Sequence, residues 1–567
     1  MNYSQIKTPA WRDALLWLFP ALFLGFFYFL PLIEIIQRSG IMEQGVHLTE
    51  SEWNIINKPL SLTILQAVVS TAFTLCIGVP GAYVLSHYIF PGRELIKAVL
   101  IVPFILPTVV VSACFTALLG PHGLLNELLM SLFHLGTPPI LLMNSFWAII
   151  LGHVFYNTSI IILIMAEAWS RLNPNYSACA RILGANRFQT AFRVTMPLLA
   201  PALLSASLLV FIFDFTSFGV VLLMGGPLYA TLEVEIYVQA IQMLNFRMAT
   251  ILSIIQIAVT LALSIVYARV SRNQSFELIP NFRSGHLLKN ASSSQKAFSL
   301  GTLVILFLVF FSPLVALLTR SFMRYTDNSS GFLSFINNFT WSYYAELFIN
   351  RSQNLFYVPP YQAIFNSILF ALITVAVTIP LGILVVLALR RPRRINGLLG
   401  SILMLPLGTS AVTLGLGLVL VFNTTPLYQS PFPILLPISH ALVALPMIVR
   451  ILQPSISSIP ISLNQSARLL GSNPWQVFKN IDLPLLRGPI LVSAVFAFSI
   501  SLGEFGATTF LNRPEYSTIP IAIFRFLTYP GQMNYGQAMA MSSILMTLCI
   551  LSILIIQISA RRSQGKQ

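Results

Sequence analysis

Charge is the scarcest thing in this sequence. Only 9 % of its 567 residues are Asp, Glu, Lys or Arg, against roughly a quarter in ordinary soluble domains. So few charges cannot cover a water-soluble body of this size, which excludes a soluble enzyme, a disordered chain and a nucleic-acid binder. Acids are rarer than bases, 17 against 32, and the net charge is +15. Such a surplus fits topology signals beside a bilayer better than a nucleic-acid partner. Cysteine is also rare. Cys76, Cys114, Cys179 and Cys549 are scattered, mostly inside apolar runs, with no disulfide or metal-ligand spacing. They read as small core residues. No Gly-x4-Gly-Lys-Ser/Thr phosphate loop and no His-Glu-x-x-His occurs, and the seven histidines look isolated. Energy for any work the chain does must therefore come from elsewhere.

What is abundant is apolar length. Apolar types make up 56 % of the residues, and mean hydropathy is +0.81. About 20 apolar residues span a bilayer as a helix. Twelve such runs occur: Ala14–Ile36, Leu60–Val84, Leu95–Leu119, Leu142–Met165, Ala200–Met224 and Thr250–Val270, then Phe298–Leu318, Ala363–Leu389, Leu398–Val421, Ile434–Ile451, Ile490–Phe510 and Ala538–Ile558. They are numbered spans 1 to 12 below. The first is too long for a signal-peptide core and reads as a retained anchor. With both termini cytoplasmic, 24 of the 32 Lys and Arg fall on the cytoplasmic side, as the positive-inside rule expects. The run Arg390–Arg394 reads as a topology anchor.

The twelve runs are two copies of six. A shift of 287 residues brings Ala180, Arg181, Leu183, Gly184 and Asn186 onto Ala467, Arg468, Leu470, Gly471 and Asn473. Pro197 then falls on Pro484, Phe218-Gly219 on Phe505-Gly506, and Thr231 on Thr518. Pro80 and Pro103 match Pro380 and Pro406 at slightly larger offsets. Six is even, so both copies share one orientation, a parallel repeat about an axis along the membrane normal. The expected fold is all-α and polytopic, with halves 1–270 and 297–567 joined by a cytoplasmic linker, 271–296.

The clearest repeat lies in the loops after spans 4 and 10. A helical pattern leads into Gly184 and Gly471, where a glycine lets the chain turn. A short amphipathic helix follows, carrying Phe188 and Phe192 in one copy and Trp475 and Phe478 in the other. Pro197 and Pro484, each thirteen residues after its glycine, are expected to close the segment before the next span. Aromatic faces at a fixed Gly–Pro spacing suit the docking of a partner better than a helix lying on lipid.

Both segments resemble the EAA loop of ABC-importer membrane subunits, and the two-half layout is similar to the fused thiamine and ferric-iron permeases. The family's Glu falls on Ala178 and Gln465, and its Ala-Ala on Cys179-Ala180 and Ser466-Ala467, so the acidic contact is missing from both copies. The resemblance implies an importer permease in a bacterial plasma membrane, without enzymatic activity of its own. It implies two copies of a separate ATPase that bind ATP and Mg, and an extracytoplasmic solute-binding protein that delivers a small solute, thiamine-like or ferric iron. The coupling residues it implies are Ala180, Arg181, Gly184, Phe188 and Pro197, with Ala467, Arg468, Gly471, Trp475 and Pro484. The tract from Gly225 to Tyr237 resembles its counterpart in thiamine permeases, and ferric-iron permeases have related tracts. No cofactor is expected in this chain.

Asp214 and Glu504 lie deep inside membrane runs. Asp214 is in span 5 and Glu504 in span 11. Shifted by 287, Asp214 falls on Ser501 and Ser217 on Glu504. Each span thus carries an acid and a serine three apart, on one helical face, in mirrored order. An acid at that depth costs about 2.5–3.5 kcal/mol and normally faces a cavity or a partner. Asp214, Ser217, Ser501 and Glu504 are therefore expected to line the path, with Phe218 and Leu502 turned away. Two carboxylates suit a cation, although the Glu504 segment also resembles one in oxyanion permeases. Outside, Arg38–Pro59 with Glu43, Glu50 and Glu52, and Ser321–Gln362 with Trp341, Tyr343 and Tyr344, either dock the binding protein or cap the bundle. An ion-coupled secondary transporter is the rival reading. Its hallmark Asp-Arg pair is absent from the loop Phe90–Glu94.

Overall fold

The computed structural model describes residues 10–40, 48–173, 175–271, 286–287, 292–324, 338–349, 359–390 and 394–564. Among them, eleven helices are long and apolar enough to cross a membrane. All twelve expected runs are largely helical, but the longer helix of the ninth, Ala411–Phe422, is only 12 residues. Span 2 starts earlier than its apolar run. It covers Glu50–His87, capped by Thr49 and Glu52 in a reciprocal capping box. Half of the expected outer loop Arg38–Pro59 is therefore helix, and Glu52 pairs with Arg247 at 2.6 Å. Glu43 lies outside the described residues.

Four spans are broken, and they occupy matching places in the two halves. Span 3 is split into Arg93–Ile105 and Thr108–Leu119 at Pro107. Span 9 is split into Arg394–Leu403 and Ala411–Phe422, with a 3-10 turn, Leu405–Gly408, between. Span 5 divides into Met196–Phe215 and Gly219–Met224, and span 11 into Leu483–Gly503 and Gly506–Leu511. Proline removes a backbone donor and glycine tolerates crowding, so both mark the breaks. Within a bilayer, broken helix is tolerated only inside protein or beside a cavity.

Spans 2 and 4 pack closely because Gly78 has no side chain. A Cβ there would lie 2.6 Å from Ile161 Cγ2, and one on Gly382 would lie 2.9 Å from Ile448 Cγ2. Ile161 and Ile448 are 287 apart, while Gly78 and Gly382 are 304 apart. Thr63 and Ser367, also 304 apart, accept hydrogen bonds from the Leu232 and Ile519 amides. This corrects the match of Pro80 with Pro380. At a shift of 304 they stand one helical turn apart. Gly382→Leu is expected to force spans 8 and 10 apart and cost about 1–3 kcal/mol, as overpacking does. Thermal unfolding of the detergent-solubilised chain measures it.

The halves exchange their first spans. Span 1 packs on the second half: Trp17 Nε1 donates to Asn396 Oδ1 at 3.1 Å, and the hydroxyls of Tyr28 and Thr409 are 2.7 Å apart. Span 7 packs on the first half, with Phe310 against Phe155 at 5.9 Å and Arg320 against Glu127 at 2.6 Å. The sequence halves 1–270 and 297–567 are thus interlocked in space. Most of the expected linker lies outside the described residues. Its His286 and Leu287 pair in parallel with Tyr88 and Ile89 at the end of span 2. Of the expected outer aromatics, Trp341 is exposed and Tyr343 is buried.

Candidate coupling and translocation site

The two loop segments fold alike, bond for bond. Helix Asn175–Ile182 ends when Ala185 N donates to Ala180 O and Gly184 N to Arg181 O, both at 3.0 Å. Helix Ile461–Leu469 leads into the same pair, Ser472 N to Ala467 O and Gly471 N to Arg468 O, again at 3.0 Å. This is the crossed pair of a Schellman stop, and Gly184 and Gly471 both hold φ +85°. Arg181 and Arg468 sit in the last turns, where a cation complements the helix dipole. The next helix starts with reciprocal caps. Asn186 accepts from Gln189 N at 2.7 Å and Asn473 from Gln476 N at 2.8 Å, while the glutamine side chains accept the returning bonds.

The surface so displayed is apolar. Phe188 and Phe192 lie 4.4 Å apart, Trp475 and Phe478 5.7 Å apart. Beside them stand Ile182 and Leu183 in one copy and Leu469 and Leu470 in the other. Leu183 is 87 % exposed and Leu470 86 %. Asp482 anchors the second segment, since Arg390 reaches it at 3.1 Å and also donates to Ile459 O. Arg390 is thus a structural tie, more than the topology anchor expected.

Neither proline closes its segment. A π turn, Ala191–Thr195 or Phe478–Asp482, carries each docking helix directly into its span. Pro197 and Pro484 fall in the first turn beyond it. The helices Phe188–Phe215 and Pro474–Gly503 are single rods of 28 and 30 residues, roughly 42–45 Å at 1.5 Å per residue. One end carries the exposed aromatics, and the other end is the break.

The breaks meet at the pseudo-twofold axis. Gly219, in span 5, lies against Thr108 of span 3 and against the Phe505 ring. Gly503, in span 11, faces Pro107 of span 3, and Gly506 faces Ala411 and Val412 of span 9. The repeat-related pair Phe218 and Phe505 stack across the axis, with centroids 5.4 Å apart and an interplanar angle of 26°.

The four residues expected to line the path are not water-exposed in this structure. Asp214, Ser217, Ser501 and Glu504 are all buried, and each acid is held inside its own half. Asn157 Nδ2 donates to Asp214 Oδ1 at 2.6 Å, and His153 Nδ1 is 3.3 Å from the same oxygen. His153 Nε2 is 2.8 Å from Ser217 Oγ. Glu504 accepts from Ala507 N and Thr508 N, both at 2.9 Å, and from Thr508 Oγ1 at 2.7 Å. His440 bridges Ser501, at 2.7 Å, and Glu504, at 3.3 Å. The acids are therefore not water-exposed in this structure: Glu504 caps helix Gly506–Leu511 at the span 11 break, and Asp214 is held by Asn157 and His153. Phe218, expected to turn away, stands on the axis instead, while Leu502 is buried as expected.

The family described as "Binding-protein-dependent transport system inner membrane component" matches residues 75–276 and again 378–565. The chain belongs to that family. It is a membrane-spanning permease of an ATP-binding cassette importer, built as two fused copies. The thiamine transport system permease protein ThiP of Brucella suis biovar 1 is 24 % identical over 86 % of this chain and 85 % of its own length. The putative 2-aminoethylphosphonate transport system permease protein PhnU of Salmonella choleraesuis is 30 % identical over 45 % of this chain and 91 % of its own. A solved bacterial alginate ABC transporter in complex with an alginate pentasaccharide-bound periplasmic protein aligns over 47 % of the chain, at 18 % identity and a TM-score of 0.38.

Three features of this permease escaped the sequence reading. His153 and His440 looked isolated, yet they are 287 apart, and the repeat shift alone pairs them. The exposed Ile182-Leu183 and Leu469-Leu470 pairs sit beside the glycines but looked like a helix interior. Glu233, a fully buried acid, gave no signal beyond its place in an apolar tract.

Proposed function

We propose that this permease imports a thiamine-like organic cation into a bacterial cell, with both termini cytoplasmic in the plasma membrane. A solute-binding protein presents the cargo outside. Two copies of a separate ATPase, holding ATP and Mg, dock on the segments around Gly184 and Gly471. The observation that carries this reading is the pair of rods. Each joins an exposed docking surface to a break beside the axis without a flexible link, so closure of the ATPase pair moves both breaks together. Binding protein and ATP must favour different states, since equal affinity shifts nothing. The missing EAA glutamates leave the contact to Phe188, Trp475 and the leucine pairs. Thiamine is favoured over ferric iron because ThiP shares the fused layout over most of both chains.

Reconstitution with a separate ATPase and a solute-binding protein tests the reading. ATP-driven thiamine uptake that requires both partners is expected. Uptake driven by a proton or sodium gradient without the ATPase would establish the secondary-transporter reading instead. Mass and metal analysis of the ligand on the purified binding protein separates thiamine from iron.

A further inference from the structure

Asp214 and Glu504 each have a histidine beside them, but another buried acid, on the short helix Leu232–Tyr237, has neutral partners. Glu233 is fully buried. It accepts from Gln256 Nε2 at 2.9 Å and from the hydroxyl of Ser410. Gln256 lies ten residues along Phe246–Ser271, roughly 15 Å from its start, so the carboxylate is deep in the bundle. Ser410 belongs to the other half and caps helix Ala411–Phe422 at the span 9 break. Glu233 therefore sits on the interface between the halves, where relative motion must occur.

The repeat makes the acid more informative. At a shift of 287 its counterpart is Pro520, so the second half reaches the same fold without a carboxylate. The rings around it, by contrast, obey the repeat. Tyr237 meets Phe218 with centroids 5.6 Å apart, Phe218 stacks on Phe505 at 5.4 Å, and Phe505 meets Phe524 at 5.5 Å. Tyr237 and Phe524 are 287 apart, as are Phe218 and Phe505. Four rings thus form a ladder symmetric about the axis, across the point where the breaks meet. Tyr237 is one turn beyond Glu233 on the same helix, Leu232–Tyr237, so acid and ladder share a face.

We propose that Glu233 and the ladder Tyr237–Phe218–Phe505–Phe524 are the intramembrane transit site for an organic cation. A carboxylate in hydrocarbon is normally retained for a path or a partner, and aromatic faces attract organic cations, most strongly when desolvated. Parting the halves breaks the Ser410 bond and opens the stacked pair together. This bares one negative charge beside four ring faces. An inorganic ion has no use for the rings, and an anion is repelled by the acid. The inference deepens the proposed function and rests on it for the direction and energy of transport. The charge of the cargo is argued here from the site alone.

The test separates the two. Benzyltrimethylammonium is the probe, added to the purified full-length chain while thermal unfolding is followed. It is expected to raise the Tm of the wild type. The shift should vanish in Glu233→Gln and Phe218→Ala, fall to an intermediate size in Glu233→Asp, and persist in the control Glu235→Gln. Glu233→Asp keeps the charge, so a folded protein with residual binding remains even where Glu233→Gln is unstable. No shift in the wild type, or an equal shift in Glu233→Gln, overturns the site. Thiamine uptake by the reconstituted complex is read separately. A wild type that binds the probe yet transports no thiamine overturns the proposed cargo and leaves the site standing.

Discussion

Leu183→Asp combined with Leu470→Asp is expected to abolish recovery of the ATPase with this permease and to reduce transport to background. These leucines are among the most exposed large apolar residues of the chain, at 87 % and 86 %. They flank the glycines that aim the docking helices. Burying a leucine contributes about 1.5–3 kcal/mol, and an aspartate in the same contact adds the cost of an unpaired charge. Two docking points on one permease act with avidity, so loss at both sites compounds. A fall approaching ~1,000-fold in apparent affinity follows from about 2 kcal/mol lost at each. Each single variant should retain partial assembly. Gly471→Val is the milder companion, because a β-branched residue at φ +85° is strained by about 1–3 kcal/mol and misdirects one helix only. Pull-down of the ATPase by the tagged permease measures all four. Full recovery with the double variant would place the docking surface elsewhere.

The second large effect concerns the histidine clamps. His153→Leu removes the group between Asp214 and Ser217, and His440→Leu the one between Glu504 and Ser501. Removing one partner so that a buried polar group is left unsatisfied typically costs about 1–3 kcal/mol. The first-half variant should suffer more. Glu504 keeps two backbone donors and Thr508, whereas the Asp214 carboxyl keeps Asn157 alone among the described partners. Pairing His153→Leu with Asp214→Asn should recover part of the loss, since the amide oxygen can still accept from Asn157. Monodisperse yield and Tm in detergent read this out. A His153→Leu protein as stable as the wild type would show that Asp214 needs no partner, and the acid would return as a candidate for the path.

Much of this molecule was legible in one dimension, for physical reasons. A bilayer demands long apolar runs, so the spans stood out. Topology sorts Lys and Arg by side, so the loops could be ordered. A duplicated unit repeats its turn chemistry, so Gly184 and Gly471, with Asn186 and Asn473, could be matched and their conformations anticipated. The two loop segments were local motifs of this kind, built from bonds between near neighbours.

What the sequence did not determine depends on contacts between distant segments. The breaks in spans 3, 5, 9 and 11 carry Gly and Pro, but so do unbroken spans. Only distant neighbours supply some of the partners for the freed backbone, as Gln66 does for the Asp214 carbonyl. The exchange of spans 1 and 7 between halves was invisible, because the linear order of the repeat says nothing about which copy a span covers. The acids were misplaced for a related reason. Helical spacing put each acid and its serine on one face, but what that face met was decided by His153 and His440, sixty-one or more residues away. Glu233 shows the limit most plainly. Its chemistry comes from Ser410, 177 residues on and in the other half. A charge buried between two moving bodies acquires its role from the packing of both, which no single segment encodes.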